Sequence, residues 1–178
     1  MPEKIQDYFH PCLKLMRDDD IPWDVVISYM FSNIEAAQRM TLYVGIRRKH
    51  KCHKDLVWRA IDRESLYRDE FRTFFKKVFG KNISKATEDI LIPATEARNK
   101  IMHGFGATES EKKKAVSAII DYCVQYNEEM SKIGGFQPFG SLQGAIGAST
   151  FLDKSTTKWV LTGMGFFKKS NDGNAASL

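Results

Sequence analysis

Apolar positions recur every three or four residues along the first 134 positions, and no stretch there alternates convincingly with period two. From Trp23 they fall at Val26, Ile27, Met30, Phe31 and Ile34, the stripe of an amphipathic helix. Pro22 suits its first turn, and the helix is expected to run on through Met40 and Val44 and to fray in RRKHK. Upstream, Ile5, Tyr8, Phe9, Leu13 and Leu15 outline a shorter helix over roughly 3–17, interrupted by Pro11. A stretch over about 62–79 carries Leu66, Phe71, Phe74, Phe75, Val78 and Phe79, an aromatic face that reads as core, with Gly80 and Asn82 at its end.

The next stripe is Ile83, Ala86, Ile90, Ala94, Ala97 and Ile101. Pro93 lies inside it and either kinks one helix or begins a second. Gly104 and Gly106 should stop it. Thr108 and Glu111 then have capping-box spacing, ahead of Val116, Ile119, Ile120, Cys123, Tyr126, Met130 and Ile133, and Gly134-Gly135 closes that helix. Beyond it the pattern changes. GGFQPFGSLQGAIGAS is glycine-rich, DKSTTKWVLTGMGF fits a short helix or a strand, and KKSNDGNAASL reads as a flexible end. The fold class predicted is all-α: an antiparallel bundle of four to five helices over residues 1–134, with an irregular, partly flexible C-terminal extension over 135–178.

Composition narrows this picture without redirecting it. A chain of 178 residues with 43% hydrophobic and 28% charged positions suits one globular domain with a core of its own. The net charge of +5 admits an acidic partner such as RNA but does not require one. The cysteines Cys12, Cys52 and Cys123 are widely spaced and odd in number, as expected of reduced thiols in the cytoplasm. No apolar run reaches bilayer length, and the first residues lack the basic-then-apolar signal pattern, so no membrane association is expected. His50, Cys52 and His53 have no second pair of ligands, and no metal or other cofactor is expected.

The candidate chemistry lies in ATEARNKIMHGFGAT. On a helical wheel of about 100° per residue, Ala94, Ala97 and Ile101 share one side. Glu96, Asn99 and His103 share roughly the other, and Arg98 sits at the border with a side chain long enough to swing toward Asn99 and His103. An ordinary helix end beside a glycine accounts for the same residues. RNKIMH, however, resembles the Arg-x4–6-His signature of HEPN domains (higher eukaryotes and prokaryotes nucleotide-binding), over roughly residues 22–134. The STTKWVLTGMGF segment also looks like tails attached to some bacterial members.

The resemblance implies a metal-independent endoribonuclease that pairs two motifs across a homodimer, in the manner of toxins of toxin–antitoxin or phage-defence systems. It also covers inactive relatives that bind RNA, a nucleotide or a protein. Arg98, Asn99 and His103 would be the catalytic residues. His103 would move protons as base or acid, Arg98 would hold the non-bridging phosphate oxygens, and Asn99 would orient the phosphate or the imidazole. Lys100 and the basic residues Arg47, Arg48 and Lys49 are weaker candidates for phosphate contacts. Expected partners are the RNA substrate, a second copy of the chain, and an antitoxin or regulatory protein. A rival reading makes the chain itself an antitoxin-like partner that docks through KWVLTGMGFF.

Overall fold

The computed structural model describes residues 3–10, 21–63, 68–147 and 150–167, and among these it contains helices and no strand. The helices are α1 (Glu3–Tyr8), α2 (Trp23–His50), α3 (Lys54–Arg63), α4 (Arg68–Phe79), α5 (Lys85–Ile90), α6 (Ile92–Met102), α7 (Glu109–Ile133) and α8 (Lys154–Gly163). Pro11, Leu13, Leu15 and Leu66 lie outside the described residues.

The stripe read from Trp23 is the buried face of α2: Val26, Ile27, Met30, Phe31 and Ile34 all lie in the core. The helix does not fray in the basic run. It continues to His50, whose ring Nε2 lies 2.9 Å from the Val78 carbonyl, and Lys51 ends it in the left-handed region at φ 55°. Gly45 sits where α2 crosses α4, and a Cβ there would come within 2.8 Å of Val78 Cγ1 and would also run into the Phe79 ring. The aromatic face of α4 packs inward as the spacing required, with Phe71, Phe74, Phe75 and Phe79 buried. Between them lies α3, which the wider pattern did not separate. Its ten residues bury Val57, Ala60 and Ile61, an i, i+3, i+4 set too short to stand out by period.

Pro93 begins a helix rather than kinking one. Ser84 caps α5 by accepting from the Thr87 amide, Leu91 breaks the ladder, and α6 starts at Ile92 with Pro93 in its first turn, where no amide donor is needed. The expected capping box opens α7: Thr108 accepts from the Glu111 amide, and the Glu111 carboxylate accepts from Thr108 N at 2.8 Å. The α5–α6 segment runs antiparallel to α7. Ser84 and Thr87 bond Glu129 near the C-terminal end of α7, whereas Lys100 bonds Glu111 near its N-terminal end. Between α2 and α7, the buried Tyr126 hydroxyl donates to Thr41 Oγ1 at 3.1 Å, and Thr41 in turn donates to the Ala37 carbonyl. Each buried hydroxyl therefore has a partner.

The residues after Gly134 share this core. Phe139 is fully buried against the rings of Tyr8, Phe9, Tyr122 and Tyr126, and Asn127 exchanges two hydrogen bonds of 2.8 Å with its backbone. The DKSTTKWVLTGMGF segment forms α8, capped by Asp153, which accepts from Thr156 N. It is anchored by Leu152 N to the Lys51 carbonyl and by His53 N to Thr157 Oγ1. Leu161 and Phe166 are fully buried, and Phe166 stacks on Phe74 at 4.2 Å. The apolar tail that suggested docking onto a partner thus places both side chains on its own chain and leaves Trp159 exposed.

Candidate active site

The site begins with the way α6 ends. The His103 amide donates to the Asn99 carbonyl at 3.0 Å, Gly104 N to Ile101 O at 3.2 Å and Phe105 N to Lys100 O at 3.0 Å. The last two bonds form a Schellman closure, which needs its C′ residue in the left-handed region. Gly104 supplies that conformation at φ 74°. The glycine after the histidine therefore has a structural task. The closure holds the His103 backbone at the helix terminus, with the side chain exposed to solvent. Met102 and Phe105 flank it in the sequence and are 67% and 83% exposed.

Asn99 is also exposed. Arg98 is not turned toward either residue. Its Nη2 donates to Glu35 Oε1 of α2 at 3.2 Å, and its guanidinium carbon lies 4.7 Å from the centre of the Phe31 ring. Phe31 and Glu35 are one helical turn apart on α2, and together they hold the arginine at the rim of the cleft between α2 and α6. In the single chain the Arg98 side chain, long enough to swing toward Asn99 and His103, is engaged by α2 instead. Among the described residues, no side-chain hydrogen bond or ion pair joins Arg98, Asn99 and His103 to one another.

The other basic candidates have separate positions. Lys100 bonds Glu111 at 2.5 Å and so braces the α6–α7 turn. Its hydrogen bond, ahead of those from Thr108, holds the Glu111 carboxyl down to about 2. Arg47 is buried, donates to the Cys52 carbonyl at 2.7 Å, and covers the Phe151 ring at 3.7 Å. That burial removes it from the surface a phosphate would reach. Arg48 donates to the Gly135 and Ala145 carbonyls and fastens the glycine-rich loop. Of these three, only Lys49 is exposed. His50, Cys52 and His53 are each engaged by protein groups, the Cys52 thiol lying 3.7 Å from the His50 carbonyl. His50 meets Val78, His53 lies beside Thr157 and Asp55, and burial pushes the Cys52 thiol up.

A feature that periodicity did not reveal is the cleft itself, which encloses about 150 Å³. Its floor is apolar: Ile34, Phe71, Ile83 and Leu91 are all buried. A second ion pair, Arg72 with Glu88, also lines the cleft. There Nη2 meets Oε2 at 2.6 Å and Nε bonds Oε1. Glu35 is next to a core position of α2 and 63 residues from Arg98, so no local pattern in the sequence links the two. No family model, curated protein or solved structure matches the chain.

Proposed function

We propose that the chain is a metal-independent endoribonuclease of HEPN type that works as a homodimer. The observation that carries this reading is the exposed imidazole of His103 at the end of α6, set between exposed Met102 and Phe105. Exposed apolar side chains beside a candidate proton carrier suit a surface that a second copy covers. Pairing about a two-fold axis brings two His103 side chains to one site, so that one accepts a proton while the other donates.

In this mechanism the ribose 2′-OH attacks the adjacent phosphorus. The 2′-O–P bond forms and the P–O5′ bond breaks. One imidazole takes the 2′ proton, and the other protonates O5′. The products are a 2′,3′-cyclic phosphate and a 5′-hydroxyl. Arg98 stabilises the charge on the non-bridging oxygens by charge-assisted hydrogen bonds. To do so it exchanges its single bond to Glu35 for bonds to phosphate, a modest sacrifice for a half-exposed pair. Asn99 orients the phosphate or the imidazole. Action as a toxin or phage-defence effector is the setting that accompanies this activity.

The deciding test is incubation with end-labelled RNA in excess chelator, beside a His103→Ala control and a substrate with 2′-deoxyribose at the scissile position. Cleavage of RNA alone, with cyclic phosphate ends and loss in the variant, is the expected result. Equal cutting of the deoxy substrate, or an absolute need for metal, rules the mechanism out. A second reading is a non-catalytic HEPN module that binds RNA, a nucleotide or a protein. It is favoured by the Arg98–Glu35 pair, which turns the arginine away from His103. Tight RNA binding by wild-type protein that cuts nothing selects it.

A further inference from the structure

The cleft between α2 and α6 combines an apolar floor with two oppositely charged groups at its rim. We infer that it binds a small zwitterion with an apolar body, an α-amino acid of the leucine or phenylalanine class, placed between Arg98 and Glu35. The amino acid carboxylate lies on the Arg98 guanidinium, its ammonium on Glu35, and its side chain on Ile34, Phe71, Ile83 and Leu91.

Three observations lead there. The first is size. About 150 Å³ is well below the roughly 300 Å³ and upward that drug-sized ligands fill, so the occupant is smaller than a drug-sized ligand. The second is unused bonding capacity. A guanidinium carries five N–H donors, and Arg98 gives one bond to Glu35, while the Phe31 ring supports its face and leaves its edge available. The third is charge balance. Arg98, Glu35, Arg72 and Glu88 line the cleft as two positive and two negative groups. A simple anion entering there would pair with Arg98 and leave Glu35 facing like charge. A zwitterion that inserts into the pair leaves neither member without a counter-charge. The two pairs also differ in how readily they open. Arg72–Glu88 has two parallel bonds, and the Glu88 side chain is only 18% exposed. Arg98–Glu35 has one bond of 3.2 Å between half-exposed groups, so it is the pair that yields.

Binding itself is independent of the nuclease reading. Its consequence rests on that reading: an amino acid on Arg98 removes the arginine from the phosphate and inhibits cleavage. The experiment is therefore calorimetry on the full chain without RNA. L-leucine and L-phenylalanine are titrated beside leucinamide, which lacks the carboxylate, and N-acetyl-leucine, which lacks the ammonium. The expected result is saturable binding of the free amino acids and at least about tenfold weaker binding of both derivatives, since each leaves a charged group unpaired. Glu35→Gln, checked for unchanged helicity and melting temperature, should weaken L-leucine binding by a similar factor and should not weaken N-acetyl-leucine, whose carboxylate then faces no like charge. Absence of saturable binding at millimolar concentration, equal binding of all four ligands, or indifference to Glu35→Gln overturns the inference. These outcomes are read whether or not the chain cuts RNA.

Discussion

Arg98 is held by two contacts of different kinds, a hydrogen bond that phosphate can replace and a ring that it need not leave. Substitutions there separate charge from geometry. Arg98→Lys keeps the charge and loses the planar fork, so it should recover only part of the cleavage rate, and Arg98→Ala should lose most of it. His103→Ala should lower the rate by roughly 10²–10⁴-fold, the usual contribution of positioned proton transfer. Asn99→Ala should be milder. Single-turnover cleavage of labelled RNA measures all four. Because the His103 side chain is exposed and has no hydrogen-bond or ion-pair partner among the described residues, its removal should shift stability by no more than about 0.5 kcal/mol, checked by denaturant titration. A large loss of stability with the loss of cleavage would mean that the histidine holds the fold rather than the chemistry.

The Thr108–Glu111 box at the head of α7 and the short link from α6 make one unit, and its electrostatics predict a pH dependence. The Glu111 carboxyl is held at about 2, below its ordinary value of 4.5. A depressed folded-state value stabilises the native chain above the unfolded value and loses that effect as pH falls through the folded one. Melting temperature should therefore fall between about pH 4.5 and 2 more steeply in wild type than in Glu111→Gln or Lys100→Met, with thermal scans by circular dichroism as the check. Identical slopes would exclude the pair as the source. At the α2–α4 crossing, Gly45→Ala should destabilise by about 1–3 kcal/mol through overpacking, even though alanine is the better helix former. A rise in stability on urea titration would show that the Phe79 ring moves aside.

Helix boundaries such as these were legible wherever one or two adjacent residues set them. Thr108 with Glu111, Gly104 and Gly134 all fall at ends that the sequence marks. The end of α2 was not legible, because His50 meets Val78 only after the chain has folded back. Pro93 left two outcomes open, and the break at Leu91 selects between them.

At the scale of the molecule, the all-α class followed from periodicity, but the division at Gly134 does not separate two packing units. Phe136, Phe139, Leu161 and Phe166 lie in the same core as α2 and α4. Phe166→Ala should therefore cost about 3–5 kcal/mol in equilibrium unfolding, the usual range for a fully buried ring. A chain ending at residue 147 should melt earlier and bind hydrophobic dye, since it uncovers Phe74. An unchanged unfolding midpoint for both variants would make the extension an accessory. The candidate site was readable only in part for a related reason. The motif placed Arg98 and His103 on one helix, but the partner of Arg98 comes from α2, and long-range pairing of that kind leaves no trace in local spacing.

Asn127 acts toward residue 139 as a neighbouring strand would, with its amide group accepting from the backbone N–H and donating to the backbone carbonyl of the same residue. Both groups are buried, so the Phe139 amide proton can reach solvent only when α7 and the following loop separate. Its exchange with deuterium should follow the opening of the α7 core rather than the fraying of a loop. A residue outside any helix would then be among the last to give up its hydrogen, and that one proton would report the integrity of the contact between the C-terminal segment and the bundle.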